Sequence, residues 1–393
     1  VSAAVLALLL GLTPAPRAGA QGTLSAIEAD VDAISRQARP SLVTVIAQRT
    51  VLSKRRSGLP PERRPLSRVG SGVAIARSEI LTTASVVLGA EKLVVITDNG
   101  LQVEARLHGM DPIHNVALLD VDGLVLPPLQ FSRKLAQPGD WVIALGSSYG
   151  AAVTQSVGNI SYRYREPHTS LLQLTNQVYP GNSGGAALNS RGELIGLVQG
   201  ELGTPEGPGA GTEDTHRPAG MSFVLPAEDI LPVYELLRRD GRPHLGFMGV
   251  STKAGYIDSE SSPGERIPLG AVVEATQAGG PAARVGLKKG DLIVAYDGER
   301  VEYPEQLARW VAATAPGTLV NLVWARDEMR HSGRVALNES PTPIPSWMQV
   351  GLAESTSTPA SSTQAPKVAD LQARIRQLNR ELDRLRGQQG PSH

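Results

Sequence analysis

The 393-residue chain contains no cysteine, which excludes disulfide staples, a thiolate metal site and a cysteine nucleophile together. It also lacks net charge, 38 basic residues balancing 38 acidic ones, so no global field draws it to nucleic acid or to an anionic membrane. Partners must be recognised by local sites. The apolar run that opens it, Val1 to Leu12, is too short to cross a bilayer. No motif calls for a cofactor, and none for a metal. What the chain does have is length for two or three domains and a hydrophobic content of 41%, enough for real cores.

Residues 1–20 end in Ala18-Gly19-Ala20, the small residues a signal peptidase needs, and read as the end of a secretory signal without its basic opening. An exported protein is expected, in the periplasm or secreted from a bacterial envelope. Residues 21–39 are expected to hold a short amphipathic helix, because Ile27, Val31 and Ile34 recur at helical spacing before Pro40. Ser41 to Gln48 alternates and is β-branched, the pattern of a strand. Residues 49–68 set Arg49, Lys54, Arg55, Arg56, Arg63, Arg64 and Arg68 against Glu62 alone, around Pro60-Pro61. Like charges repel and prolines exclude regular structure, so a solvated loop is expected, with an anionic partner or a neighbouring subunit as the alternative.

The stretch that organises the chain is Asn176 to Leu188, N-Q-V-Y-P-G-N-S-G-G-A-A-L. A serine between glycines, after one extended run (Leu171 to Thr175) and before another (Leu194 to Val198), sits in a tight turn whose N–H groups can point inward as an oxyanion hole. This sequence resembles the nucleophile loop of the HtrA (Deg) family of chymotrypsin-fold serine proteases. The resemblance implies a trypsin-like domain over residues 40–240, Ser183 at the nucleophile position, and the N–H groups of Gly181 and Ser183 as oxyanion donors. Gly70 to Gly89 resembles the family's G-S-G-x-x-[IV] through T-N-A-H-V-V segment, and Ser85 stands where that pattern has its general-base histidine. Asn115-Val116-Ala117-Leu118-Leu119 resembles the D-[LIV]-A-[LV]-[LI] strand start, with Asn115 in the aspartate's place. The chain order 85, 115, 183 is that of His, Asp and Ser in chymotrypsin-like enzymes.

An imidazole, with a pKa of about 6.5, accepts a hydroxyl proton near neutral pH; a serine hydroxyl does not. An asparagine can hydrogen-bond its neighbour but has no charge to steady an imidazolium. His114, next to Asn115, is the open alternative as base, while His168 and His216 are expected in solvated loops. Asp140 to Gly146, Val157 to Ser161 and Met221 to Pro226 resemble further strands of the family's barrels. Residues 200–219, rich in glycine and proline, read as a long loop that the resemblance sets beside the S1 pocket. From Ala227 to Arg239 a helix leaves the barrel, with Ile230, Val233, Leu236 and Leu237 on one face.

A second domain is expected over residues 244–338. H-L-G-F-M-G-V, from His244, resembles the carboxylate-binding loop of PDZ domains, and G-P-A-A-R-V-G-L-K-K-G-D-L-I (Gly280 to Ile293) resembles the PDZ core pattern. Successive free N–H groups around Leu245, Gly246 and Phe247 would capture a carboxylate, and the strand Met248 to Thr252 would offer its edge to an extended peptide. A helix starting near Pro304 would present Leu307 and Val311 to the same groove. Residues 339–366 are proline- and Ser/Thr-rich, a linker, and Trp347-Met348 is read as a lone apolar contact. In residues 367–388, Val368, Leu371, Ile375, Leu378, Leu382 and Leu385 alternate spacings of three and four, a short coiled-coil seam. Self-association or packing on another partner both fit it, and a trimer is what the family suggests.

The expected fold is therefore mainly β, a chymotrypsin-like double barrel followed by a PDZ domain (α+β) and a C-terminal coiled-coil helix. The leading functional reading is an exported pseudoprotease that binds peptides or unfolded polypeptides, including C-terminal segments, in quality control or in regulation of active relatives. An active serine endopeptidase with an unrecognised base, and a structural envelope adaptor, are the alternatives.

Overall fold

The computed structural model describes residues 18–53, 62–150, 153–166, 169–200, 222–258, 266–327 and 329–344. A helix, α1 (Ala18–Ala38), opens them, three residues ahead of its expected start. Val31 and Ile34 pack on the protein as the helical spacing requires, whereas Ile27 is exposed. The rest of the signal reading, the Trp347-Met348 contact and the coiled-coil seam lie outside the described residues.

Six strands close the first barrel: β1 (Leu42–Ser53), β2 (Glu62–Ala74), β3 (Glu79–Thr82), β4 (Lys92–Thr97), β5 (Gln102–Asp111) and β6 (Val116–Val121), in the order β1-β2-β3-β6-β5-β4. Between β3 and β4 lies a single turn of helix, α2 (Ala84–Val87). A second closed barrel is built from β7 (Trp141–Ser147), β8 (Val153–Glu166), β9 (Thr169–Leu174), β10 (Ala186–Leu188), β11 (Leu194–Gly200) and β12 (Ser222–Pro226), in the order β10-β11-β12-β9-β8-β7.

The period of two along the strands sorts side chains into three cores. On β1, Val43 and Val45 fill the first barrel while Leu42 turns outward. On β7, Val142 and Ala144 fill the second barrel, and Ile143 and Leu145 turn the other way. Those outward residues meet Leu81, Leu118, Leu188 and Leu194 in the layer between the barrels. There α3 (Ala227–Asp240) lays down Ile230, Val233 and Leu237. Leu236, expected on the same face, is only partly covered. Tyr234 of α3 donates to the Glu79 carboxylate at 2.6 Å. Burial, then that acceptor, push its phenol well above the ordinary tyrosine range.

The basic stretch 49–68 departs from expectation. Rather than one long loop, β1 and β2 stay paired out to Ser53 opposite Glu62. A hairpin shares its backbone hydrogen bonds along the whole ladder, and this offsets the repulsion between like charges that the loop reading relied on. Only residues 54–61 fall outside the described part.

The second domain has β14 (Val250–Asp258), β15 (Arg266–Thr276), β16 (Leu292–Tyr296), β18 (Leu319–Arg326) and β19 (Met329–Ala336) in one sheet, in that order. The short strand β17 (Glu299–Arg300) pairs with β16. A separate ribbon joins β13 (Gly246–Phe247) to β20 (Asn338–Glu339), one residue past the expected domain end. Helices α4 (Pro281–Arg284) and α5 (Pro304–Ala313) cover the core, where Leu307, Trp310 and Trp324 are buried. Tyr296, wholly buried, gives its hydroxyl to Thr314 at 2.8 Å, and burial pushes its pKa up to about 12.

Asp291 is 1% exposed and accepts both arms of Arg326 at 2.6 Å and the Lys288 N–H at 2.8 Å. Burial alone would raise its pKa, but the guanidinium and the N–H outweigh it and hold the carboxyl below its ordinary value. Its folded pKa being depressed, its contribution is complete above the unfolded value of about 3.9 and is lost as pH falls through the folded one. Removing one partner of such a pair costs about 3 kcal/mol. Asp291→Ala is therefore expected to lower the urea midpoint of this domain at neutral pH, and to flatten its decline below about pH 4. An unchanged midpoint would show that the pair is solvated.

Candidate functional site

The Ser183 loop is held from both barrels. Ser71 on β2 donates its N–H to the Ser183 carbonyl and its hydroxyl to the Gly181 carbonyl, each at 2.7 Å, and accepts the Ser147 N–H from β7. Asn182, 2% exposed, accepts the Ser148 hydroxyl at 2.7 Å. Gly184 donates to the Val198 carbonyl at 2.7 Å. Glycine is required here, since φ is +86° and a Cβ would sit 2.2 Å from the Ser71 carbonyl oxygen. The result is a loop whose Gly181 and Ser183 N–H groups have no hydrogen-bond partner among the described residues. Two such donors are what an oxyanion hole needs.

The Ser183 hydroxyl donates to the Gln199 carbonyl at 3.0 Å. An amide carbonyl accepts a hydrogen bond but does not take the proton. No hydrogen bond joins Ser183 to a histidine among the described residues.

Ser85 lies in the first turn of α2 and is joined to Asn115 as the sequence order suggests. Its N–H donates to Asn115 Oδ1 at 2.8 Å, and the neighbouring Ala84 N–H donates to the Asn115 carbonyl at 3.1 Å. Asn115 satisfies two orphan donors of the helix start. It does so from φ +55°, a left-handed conformation that asparagine and aspartate tolerate better than other side chains. The Ser85 hydroxyl turns to Thr83 Oγ1 at 3.2 Å, and Arg68 donates to the Ser85 carbonyl. Helix α2 is tight against the Ser183 loop through Gly70, where a Cβ would meet Val86 at 2.4 Å and the Ser183 carbonyl oxygen at 3.1 Å.

The imidazoles are engaged elsewhere. His114 Nδ1 is 2.7 Å from Asp111 Oδ2, within the turn between β5 and β6. His108 lies between Asp120 and the Arg238 carbonyl, and His244 between Asp240 and Glu339. His331 stacks on Trp324. His168 and His216 lie outside the described residues. No cluster of three or more metal-ligating side chains exists among the described residues.

The groove of the second domain has a volume of about 330 Å³. Leu245, Gly246, Phe247, Met248, Leu307 and Val311, the residues expected to bind peptide, all line it. Leu245, Met248, Leu307 and Val311 are mostly floor, each under a tenth exposed. β14 stands at the sheet edge beside the groove, open to a further strand. Two details differ from expectation. The edge strand begins at Val250, because Met248 turns inward to the core at 2% exposure. Nor are three successive N–H groups free, since Phe247 is paired with Asn338; the Leu245 carbonyl beside it accepts the Ser340 N–H at 2.7 Å. That antiparallel register directs the Phe247 N–H to the Asn338 carbonyl.

Sequence reasoning missed Gln199, Arg68, and Ser340 to Thr342, which also line the groove. Gln199 acts through its carbonyl, which leaves no side-chain signal. Arg68 was indistinguishable from six other cations of its stretch, and only the β1–β2 register singles it out.

Two family models match the chain: a trypsin-like peptidase domain over residues 70–197 and a PDZ domain over residues 272–326. The chain is 32% identical over 281 residues to a probable periplasmic serine endoprotease, DegP-like, of Brucella suis biovar 1, covering 68% of this chain and 52% of the relative. It is 32% identical over 285 residues to the protein so named in Pseudomonas fulva, covering 71% and 57%. The chain thus spans about half the length of these curated relatives. Among solved structures it is similar to the HtrA-type protease AlgW with decapeptide, with a TM-score of 0.57 at 25% identity, covering 80% of this chain and 99% of that one. It is also similar to the serine endoprotease from Yersinia pestis, with a TM-score of 0.54 at 27% identity, covering 79% and 98%.

Asn115→Ala removes a hydrogen bond, worth about 1 kcal/mol, and leaves alanine at a left-handed φ, costing about 1 kcal/mol more. It is expected to destabilise the first barrel by roughly 2 kcal/mol and to deprotect the Ser85 amide in hydrogen exchange. Asn115→Asp, keeping shape and acceptor, is expected to preserve that protection; equal exchange in all three proteins would show that the cap is not made in solution.

Proposed function

This chain belongs to the HtrA (Deg) family of trypsin-like serine proteases with one PDZ domain, and from that premise we propose that it is a pseudoprotease that binds polypeptides without cutting them. The observation that carries the reading is the Ser183 hydroxyl donating to the Gln199 carbonyl, an acceptor that takes no proton. In the family's order of catalytic positions Ser85 stands for the base and Asn115 for the acid. Asn115 keeps the structural half of an aspartate's work, accepting the Ser85 N–H, and lacks the charge that would stabilise an imidazolium. Removing triad members from a serine protease lowers turnover by about a million-fold.

Binding is a different matter. Extended peptide can pair with the open edge of β14 over an apolar floor that includes Leu307 and Val311, and a vestigial cleft with two open N–H donors can take a peptide carbonyl. The relatives are named periplasmic, and with residues 1–20 read as a secretory signal we place the mature chain in the periplasm. No helix among the described residues is long and apolar enough to cross a membrane. A homo-oligomer, with a trimer as the family's pattern, fits a quality-control role or the regulation of active relatives.

A second reading, an active endopeptidase with His114 as base, draws on the Asp111 pairing. That carboxylate, 3% exposed, orients the imidazole at 2.7 Å as an aspartate does in a triad. The two readings part in one experiment. Purified mature protein is expected neither to cleave casein nor to react with a serine-directed fluorophosphonate. Ser85→His with Asn115→Asp together are expected to create labelling at Ser183. Rapid labelling of the unmodified chain, lost in Ser183→Ala, would overturn the pseudoprotease reading; loss of it in His114→Ala would establish the second.

A further inference from the structure

The β1–β2 ladder sets Ala47 opposite Arg68 and Leu66 opposite Arg49. Side chains alternate along a strand, so Arg49 and Arg68 are diagonal neighbours on one face, around a shallow pocket with Ala47, Val86 and Leu88. Arg68 is the one aimed at the cleft, its guanidinium donating to the Ser85 carbonyl. It has no carboxylate partner among the described residues. Surrounding protein and the second guanidinium hold its pKa below the ordinary arginine value. It stays protonated all the same, a cation with a neutral acceptor on one side and a like charge on the other. Glu91, just ahead of β4, accepts the Thr50 hydroxyl at 2.8 Å. Along the sequence, residues 49–68 hold seven basic side chains and one acidic one.

We propose that the cleft beside Ser183 selects peptides by a carboxylate, which Arg68 binds through its planar fork with Arg49 adding charge. The inference rests on the non-cutting reading above and gives it a ligand class. From Arg68 to Ser71, the residue that holds the Ser183 carbonyl, is three strand positions, roughly 10 Å. An extended peptide covers that span in about three residues. The acid therefore sits about three residues along the chain from the residue lying over Ser183. A guanidinium matches a carboxylate in bidentate geometry, and Arg68 has no carboxylate of its own among the described residues.

The carboxylate can come from an interior acidic side chain or from a chain end, and three fluorophore-labelled decapeptides separate them. One has a single interior glutamate and an amidated end, one has glutamine in its place, and one has the glutamine with a free terminal carboxylate. Fluorescence anisotropy with the mature full chain is expected to give about tenfold tighter binding of the glutamate peptide than of its amidated glutamine partner, a difference of about 1.4 kcal/mol. Added salt is expected to shrink it. Arg68→Gln is expected to abolish the preference and Arg68→Lys to keep part of it, since the charge stays and the fork goes. If Arg68→Gln instead weakens only the free-carboxylate peptide, the site takes chain ends, and the carboxylate assignment stands. Equal binding of all three peptides, or a preference untouched by Arg68→Gln, overturns it. Mass spectrometry of the recovered peptides keeps the two readings apart. Cleavage would sink the non-cutting reading, while the acid preference would still be measured on Ser183→Ala.

Discussion

The site depends on one buried serine that has no part in any reaction. Ser71 is wholly buried, and each of its polar groups is used: the N–H on Ser183, the hydroxyl between Gly181 and Ser147, the carbonyl under the Thr82 hydroxyl. A buried polar group left unpaired costs about 1–3 kcal/mol, so this set of bonds acts as one unit, made completely or at high cost. It fastens the first barrel to the loop of the second and fixes the direction of the Gly181 and Ser183 carbonyls. The Gly181 and Ser183 N–H groups, which belong to the preceding peptide planes, find no partner among the described residues. An oxyanion-type pocket is in this sense a by-product of how the barrels are joined, and its shape needs neither a base nor an acid.

That separation explains which parts were legible in the sequence. The double barrel and the PDZ domain were legible through motifs that resemble the family's, while alternation marked the strand from Ser41 to Gln48. Val43 and Val45 go in, Leu42 goes out, and the pattern can be read before the structure is known. The Ser183 loop was legible because Gly184 tolerates no side chain against the Ser71 carbonyl. The pairing of Ser85 with Asn115 was legible only as an order of positions. That Asn115 works as a helix cap through a left-handed backbone had no signature beyond the residue type.

What the sequence hid was of two kinds. Contacts made by main-chain atoms, such as the Gln199 carbonyl on the Ser183 hydroxyl or the Ser340 N–H on Leu245, are blind to side-chain identity. The other kind was a conflict between local and cooperative preference. Charge and proline content argued for a loop over residues 49–68, yet β1 and β2 pair through most of it. Each further rung of a ladder adds bonds to strands already aligned, while the repulsion between exposed cations is screened beyond about 10 Å. Once the hairpin forms, register decides which arginine reaches Ser85, and register is a property of the pair of strands rather than of either.

A cleft of this kind is subject to a different physical limit from a protease's. Catalysis needs contacts that strengthen as charge develops on the carbonyl oxygen, and it needs somewhere for the hydroxyl proton to go. On the proposed non-cutting reading, with the Ser183 hydroxyl donating to a main-chain carbonyl, the charged intermediate is not reached, and the Gly181 and Ser183 donors meet only a neutral peptide carbonyl. They then contribute ground-state affinity, which in an enzyme would be held low so that product leaves. In the proposed holder no product forms, so residence time is set by the off-rate of the intact peptide. Any contact that lengthens it, including a charge pair at the rim of the cleft or a second grip in the PDZ groove, adds to function without a kinetic penalty. Two modest grips on one chain combine through effective concentration, which is what the proposed holding of unfolded polypeptide requires.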